Sequence, residues 1–505
     1  MTKGKAGKPN LKLLLGKVKG YWKTPPEGRY LTLKETVNFG LYSLGVSFMT
    51  SAVNYVATIA FIPYFYKIDT IHAYIIVALS SFFNLILLPF IANKIEKTRT
   101  KWGRYKPYIL FSAPLFAVLA LLVMWVPQFQ KESARIIYAY LTCLPVLILS
   151  AFSYNMYQTM PTILTPNGQE RADIMTPIGL IFGFAPSVLQ VVAGPIRGYF
   201  KDRGMEYMGL RVIGIFSVAV GLLLVMLILK SKERVYRIQD QDEKERIKMK
   251  EAFSMLSKNK ALVILCLALV LGSMREFTNH FRWLIIQFRF AADVKTAIGI
   301  SGIPMSIIGF AATVSMLLMP IVTRKMDKNK ILILFSSFGV ISNAILGFVG
   351  YQRIPIGTTS IIVVTLLHFI SCINPAYLLV PVMLGELADN QQLLTGKRLD
   401  GHLQNLLFVT PGLFSQLFMI LAWFWQKKIG FEARDYTELA ILTDAQQAVA
   451  CSWFNAASII SVISGVLMIT VLFFYPLSRK KHAEIVSELN KIAVLTNEDA
   501  APARN

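Results

Sequence analysis

The chain reads as an all-α membrane protein of twelve transmembrane helices in two six-helix halves. Three observations predict this. Of 505 residues, 54% are hydrophobic and only 16% charged, whereas soluble domains carry roughly a quarter charged residues. Apolar runs of about 20 residues, enough to cross a bilayer, recur about twelve times. The net charge of +23 sits in the short loops and tails between those runs, where orientation in a membrane places Lys and Arg. In a soluble protein such a charge would point to nucleic acid; here its placement excludes that partner and names the lipid bilayer instead.

Taken in order, residues 1–34 form a basic tail whose Lys-rich start lacks the apolar core of a cleavable signal. An N-terminal six-helix bundle, 35–229, follows, with spans at 35–64, 71–95, 108–126, 136–164, 173–199 and 208–229. A middle linker, 230–260, carries both charge signs and is expected to be partly helical. The C-terminal bundle, 261–475, has spans at 261–290, 296–321, 331–351, 359–387, 401–425 and 450–475, and 476–505 is a second tail. One set of alternating loops holds most of the Lys and Arg: the first tail, 96–107, Arg171, the linker, 324–330, Lys397–Arg398 and 479–481. The other set, such as 128–135 and 426–447, is short or mixed in sign. Both termini, the linker and the second tail are therefore expected in the cytoplasm, with the chain in the cell membrane. Cys143, Cys266, Cys372 and Cys451 lie apart in or beside apolar runs with no Cys-x-x-Cys pair, so no structural metal, disulfide framework or cofactor is expected. No His-x-x-x-His pair, nucleophile elbow or Gly-rich phosphate loop occurs in the accessible segments, which argues against an enzyme.

The halves echo one another. Asn93-Lys94-Ile95-Glu96-Lys97 after the second span is answered by Arg324-Lys325-Met326-Asp327-Lys328 after the eighth. Arg171-Ala172-Asp173 between spans four and five is answered by Arg398-Leu399-Asp400 between ten and eleven. A duplicated bundle is the layout in which a central site alternates its access.

The basic turn Thr98-Arg99-Thr100-Lys101-Trp102-Gly103-Arg104-Tyr105-Lys106-Pro107-Tyr108 resembles the loop between the second and third spans of melibiose-permease-like transporters. These are the glycoside-pentoside-hexuronide:cation symporters of the major facilitator superfamily. Thr395-Gly396-Lys397-Arg398, with Asp389 before it and Gly401 after, is similar to their signature before the eleventh span. Pro161-Thr162-Ile163-Leu164 with Glu170-Arg171 is similar to the stretch after the fourth. The resemblance implies a major facilitator fold with a sugar and a coupling cation bound between the halves. It also implies a cytoplasmic gating set of Glu96, Arg99, Gly103, Arg104, Arg171, Asp327, Asp389 and Arg398, in which Glu96 beside the basic residues makes breakable ion pairs; the same residues would equally serve topology alone.

The family's chemistry does not carry over residue by residue. Its two second-helix carboxylates, aligned on Pro89, are Asn84 and Leu88 here. Its first-span and fourth-span acids are replaced by Ser47 and Ser153, its fifth-helix Arg by Ile178, and its eleventh-helix Lys falls near Pro411. Helix spacing offers two polar stripes in their place. Ser43, Ser47, Thr50, Ser51, Asn54, Tyr55 and Thr58 recur at steps of three and four on the first span, and Ser150, Ser153, Tyr154, Tyr157 and Gln158 do so on the fourth. Hydroxyls, amides and aromatic rings suit a sugar, although small polar residues also glue membrane helices.

The seventh span carries Arg275, Glu276, Asn279, His280, Arg282 and Trp283 in mid-membrane, where a charge costs at least about 2.5 kcal/mol on insertion scales. Arg275, Asn279 and Arg282 share one helix face; Glu276, His280, Trp283 and Gln287 share the next. Glu276 and His280 form a proton-sensitive pair one turn apart, and Arg275 or Arg282 suits a carboxylate or phosphate. An ion network with Glu386 and Asp389 is the structural alternative. His368 reads as a packed histidine, and His72, His402 and His482 as exposed. The expected function is symport of a glycoside, hexuronide or related small polar solute by a monomer, with the proton favoured over sodium because the sodium carboxylates are missing while Glu276 and His280 can titrate. An uncoupled facilitator, an organic-anion carrier and a non-transporting receptor remain the alternatives.

Overall fold

A computed structural model describes residues 20–59, 61–98, 100–165, 168–234, 254, 256–275, 307, 310–311, 313–315, 317–318, 321–323, 325–373, 376–396, 400–432 and 443–499. The regular elements among these residues are helices: α1 Leu33–Asn54, α2 Phe61–Tyr66, α3 Thr70–Lys97, α4 Lys106–Met124, α5 Glu132–Leu164, α6 Gly168–Lys201 and α7 Glu206–Met226. There follow α8 Lys260–Gly272, α9 Lys328–Val349, α10 Thr358–Cys372, α11 Ala376–Thr395, α12 Asp400–Ile429, α13 Asp444–Leu472 and α14 Arg479–Asp499. Among the described residues, 6 helices are long and apolar enough to cross a membrane. Large side chains such as Phe348, 87% exposed, and Phe111 lie on their outer surfaces, as lipid-facing residues do.

Local signals place the helix ends. Thr32 and Glu35 form a reciprocal capping box at the start of α1, and Thr443 and Gln446 do the same for α13. Pro107 stands in the first turn of α4, where its missing N–H costs nothing. Gly350 ends α9 with a positive φ of 73°.

Two spans depart from expectation. The first, expected over 35–64, ends as a helix at Asn54 and resumes as α2. Pro63 explains the break, because its ring would collide with the carbonyl of Ile59 in a continuous helix; the Thr58 hydroxyl instead accepts from the Phe61 N–H at 3.3 Å. The tenth, expected over 359–387, is divided into α10 and α11 around the non-helical Ile373. The seventh span begins as α8 and tightens into a 3-10 turn over Ser273–Arg275; its expected continuation, and most of the eighth span, lie outside the described residues.

The helices cluster into two units. Unit 1 comprises Met1–Ala57, Leu79–Leu189 and Gly204–Asp240. Within it α1 packs closely on α7, and α4 on both α5 and α7. Gly45 and Gly221 allow the first of these contacts: a Cβ on Gly45 would stand 2.6 Å from the Gly221 carbonyl oxygen. Unit 2 comprises Thr58–Ala78, Gln190–Arg203 and Gln241–Asn505. Its core joins Leu262 and Leu265 of α8 to Leu332 of α9, Leu387 of α11, Leu403 and Leu407 of α12, and Leu472 of α13. Gly465 makes the close approach here, with a Cβ position 2.4 Å from a Val340 methyl.

Gly45→Ala is therefore expected to cost about 1–3 kcal/mol by overpacking. Gly385→Ala, where a Cβ meets nothing within 4 Å, should be neutral or slightly stabilising. Thermal unfolding midpoints of the purified variants check both.

Candidate functional site

The basic turn after α3 is organised by an acid from a different part of the chain. Glu233, just beyond α7, turns its carboxylate onto the start of α4 and accepts from the backbone N–H groups of Arg104 at 2.7 Å, Tyr105 at 3.1 Å and Lys106 at 3.2 Å. An anion at a helix N-terminus gains from the aligned peptide dipoles as well as from these donors. Gly103 is the residue that admits it. Its φ is +108°, and a Cβ there would lie 2.4 Å from the Glu233 carboxyl carbon. The expected ion pair of Glu96 falls on a side chain that lies outside what is described, as do Arg99 and the side chain of Arg171. Arg104 is buried.

Neighbouring contacts extend this clasp. The Arg234 guanidinium pairs with Glu35 at 2.7 Å, its backbone N–H donates to Ile163 at 3.0 Å, and the Lys232 N–H donates to Glu35 at 3.2 Å. Glu170, in the stretch after the fourth span, accepts from the N–H of Leu31 at 2.9 Å and of Tyr30 at 3.2 Å, and from the Thr165 hydroxyl. Three acids thus tie the approach to α1, the α5–α6 turn, the basic turn and the first linker residues together. The sequence signal was present in the Glu233-Arg234 pair, but nothing local says which loop it serves.

Unit 2 repeats the arrangement with other chemistry. Asp327, at the N-cap position of α9, accepts from the Arg479 N–H at 3.2 Å, beyond the last span. That hydrogen bond, with Lys330 beside it, holds the Asp327 carboxyl below the usual carboxylate range. Asn259 before α8 donates to the Leu387 carbonyl at 3.1 Å and accepts from Asn390 at 2.9 Å. Glu386 pairs with Lys328, and Asp389 with His482 at 2.9 Å. The seventh-span charges expected to join them, other than Arg275, lie outside the described residues, and His482 is not the exposed residue expected: its side chain is 24% accessible. His368 is a packed histidine, buried, with Nδ1 2.7 Å from the Val364 carbonyl oxygen. Arg398 lies outside the described residues.

The hydroxyls of the first polar stripe are bonded to helix carbonyls. Ser47 donates to the Phe182 carbonyl at 2.7 Å, Ser51 to Ser47 at 2.6 Å, Ser43 to Gly40 at 2.9 Å and Thr50 to Val46 at 2.9 Å. Inside apolar surroundings each hydroxyl must donate, and the helix carbonyls are the acceptors within reach. In this structure those hydroxyls bond helix carbonyls. Tyr55 is buried, and of this stripe's end only Asn54 is exposed.

The fourth-span stripe splits in two. Ser153 lines a crevice inside unit 1 with Tyr42, Met49, Ser112, Phe116 and Met156. Tyr154, 43% exposed, and Gln158 open outward with Asn155, and the Gln158 amide donates to the Tyr154 hydroxyl at 2.9 Å. Behind them Tyr157 is buried and stacks on Phe182, centroids 4.5 Å apart at 9°, with Tyr154 tilted against Phe182 at 5.7 Å. Phe182 and Asn155 were missed because one lies on α6 and the other one residue off the stripe. Asn84, where the resemblance puts a cation carboxylate, has a buried Oδ1 with no hydrogen-bond partner in the structure. Arg275 is exposed in its 3-10 turn, while Glu276, Asn279, His280, Arg282 and Trp283 lie outside the described residues.

In unit 2 the mixed-charge loops also prove to be joined. Lys427 at the end of α12 bridges Asp69 before α3 and Glu432, each at 3.2 Å, and Thr70 donates to Glu432 at 3.3 Å. The two acids raise the Lys427 pKa above its ordinary value. A raised Lys keeps its proton through neutral pH, so the bridge persists there and is lost only as pH climbs through that higher value.

Glu233→Gln should cost about 1.5–3 kcal/mol, because three backbone donors lose a charged acceptor. Gly103→Ala should cost more in the parent than beside Glu233→Ala, since the second change removes the collision and leaves only the φ strain. Thermal unfolding of the four proteins in a double-mutant cycle measures that coupling.

Residues 38–479 match the profile of the MFS/sugar transport protein family. The chain is 24% identical over 409 residues to the uncharacterized symporter YnaJ of Bacillus subtilis (strain 168), covering 79% of this chain and 82% of that one. It is 20% identical over 412 residues to the glucuronide carrier protein homolog of Escherichia coli (strain K12), covering 79% and 83%. Among solved structures, the inward-open xylose transporter XylE from E. coli superposes with a TM-score of 0.57 at 12% identity, over 90% of this chain and 98% of that one. With its helices, its loop signatures and a match running from the first span to the last, the chain belongs to the MFS/sugar transport protein family of membrane transporters.

Proposed function

We propose that the chain is a secondary active transporter, a symporter that moves a glycoside, hexuronide or related polar solute by alternating access. The observation that carries this is the outward face of α5: Tyr154, Asn155 and Gln158 are exposed on a membrane helix and backed by the Tyr157–Phe182 stack. Exposed amides and a phenol are unfavourable against lipid and fit a water-filled path. A sugar uses such a face twice, stacking its C–H surface on the ring and sharing hydroxyls with the amides. The relatives named as a symporter and as a glucuronide carrier homolog support the same substrate class.

The proton is favoured over sodium as the coupling ion. The second-span positions that would hold sodium carboxylates are Asn84 and Leu88, while Glu276 and His280 offer a titratable pair. Both termini lie in the cytoplasm on this reading, because the Lys- and Arg-rich loops share their side of the membrane. A second reading rests on Arg275: a guanidinium exposed at the end of α8 suits a carboxylate solute and an uncoupled or anion carrier.

Uptake into proteoliposomes under imposed gradients tests both. Proton-driven accumulation of a neutral glycoside should fall about tenfold or more in Glu276→Gln, and Tyr154→Ala or Gln158→Ala should raise the KM about tenfold. Uptake that persists after the proton gradient collapses, or an unaffected Glu276→Gln, overturns proton coupling. Thermal stabilisation by anions alone, lost in Arg275→Gln, would establish the second reading.

A further inference from the structure

The tail helix α14 is more than an appendage. Ile485 is buried in the same unit 2 core cluster as Leu387 and Ala388 of α11, and Leu489 packs on that cluster. Its first turn is held at Asp327 through the Arg479 N–H. His482 stands between two acids of α11: Nε2 lies 2.9 Å from Asp389 Oδ2 and Nδ1 lies 3.8 Å from Glu386 Oε1. Lys328 of α9 also pairs with Glu386, and Tyr475 lies near that carboxylate; Arg479 and Lys481 are the neighbouring charges on α14 itself.

An imidazole with one proton can donate to one carboxylate only, and its bare nitrogen then faces the second acid. With two protons it donates to Asp389 and attracts Glu386 as a cation. From this geometry we propose that His482 is a positioning residue that clamps the tail helix to the Glu386–Asp389 end of α11, with a grip that strengthens as the imidazole gains its second proton. Imidazoles change charge between about pH 5 and pH 8. The Asp327 anchor does not depend on that proton, because its carboxyl is held below the usual range and stays ionised throughout. The helix therefore keeps one permanent tether and one that depends on the charge of the imidazole. The two acids stand in the last three turns of α11, which ends at Thr395, so the clamp bears on the C-terminal end of that helix. That bearing on transport rests on the function proposed above; the clamp itself does not.

Hydrogen exchange of the full-length protein in lipid nanodiscs, corrected for intrinsic rates, reads the clamp directly. Protection of the 483–489 amides should fall about fivefold between pH 6 and pH 8 in the parent. His482→Gln, which can donate but not charge, should be poorly protected at both values, and His482→Lys, charged at both, should be protected at both. A parent profile without the step, or a step that survives in His482→Gln, overturns the clamp. Solute counterflow, which needs no ion gradient, then reads its use: the parent rate should change with pH and the His482→Lys rate should not. A step in exchange with identical counterflow profiles in the two proteins overturns the positioning role. A step in exchange with no counterflow at all in the parent upholds the clamp and counts against the transporter reading.

Discussion

A carboxylate taken out of water must find donors, and Glu233 finds three on one loop. That requirement organises the end of unit 1. The loop must present its N–H groups together, which the start of a helix does by construction. It must also leave room for the acid, which is why a glycine with positive φ precedes Arg104. Once Glu233 is seated, Arg234 is directed at Glu35 and at the Ile163 carbonyl. The segment beyond the last helix of the bundle thereby closes onto its first span, the start of its third and the end of its fourth.

Unit 2 reaches a comparable end by opposite polarity. There the loop supplies the carboxylate, Asp327, and the segment beyond the last span supplies the N–H of Arg479. The approach to the first helix of each bundle is likewise bonded to the region after its fourth: Tyr30 and Leu31 to Glu170, Asn259 to Leu387 and Asn390. The repeats have kept the connections and exchanged the residues that make them. A hydrogen bond constrains geometry, not which partner donates. The two ends differ in what can titrate, since only unit 2 places an imidazole among its acids.

The candidate solute face follows the same economy of polar groups. Seryl hydroxyls in an apolar bundle satisfy themselves on helix carbonyls, so most of the α1 stripe is consumed in holding α1 together and against α6. Tyr154 and Gln158 are longer and bond to each other, so both remain presented on α5, while the shorter Asn155 amide folds back on the Ala151 carbonyl. Residue size, rather than polarity, separates the groups held on helix carbonyls from the pair that is not.

The sequence by itself determined the class of molecule, the order of most spans and the family, because hydropathy, charge placement and local loop signatures are properties of short segments. The breaks before Pro63 and at Ile373 were not read, because the apolar runs around them are continuous. Tertiary structure alone decided which acid serves which loop. Glu96 and Glu233 are equally plausible partners for the basic turn by composition, and more than a hundred residues separate the second from it. It alone decided too that Ser47 turns to a carbonyl on α6, that Ser153 faces an internal crevice while Tyr154 beside it faces outward, and that His482 is held between Glu386 and Asp389. Helix periodicity states which residues share a face, and only the packing of neighbouring helices states what that face meets.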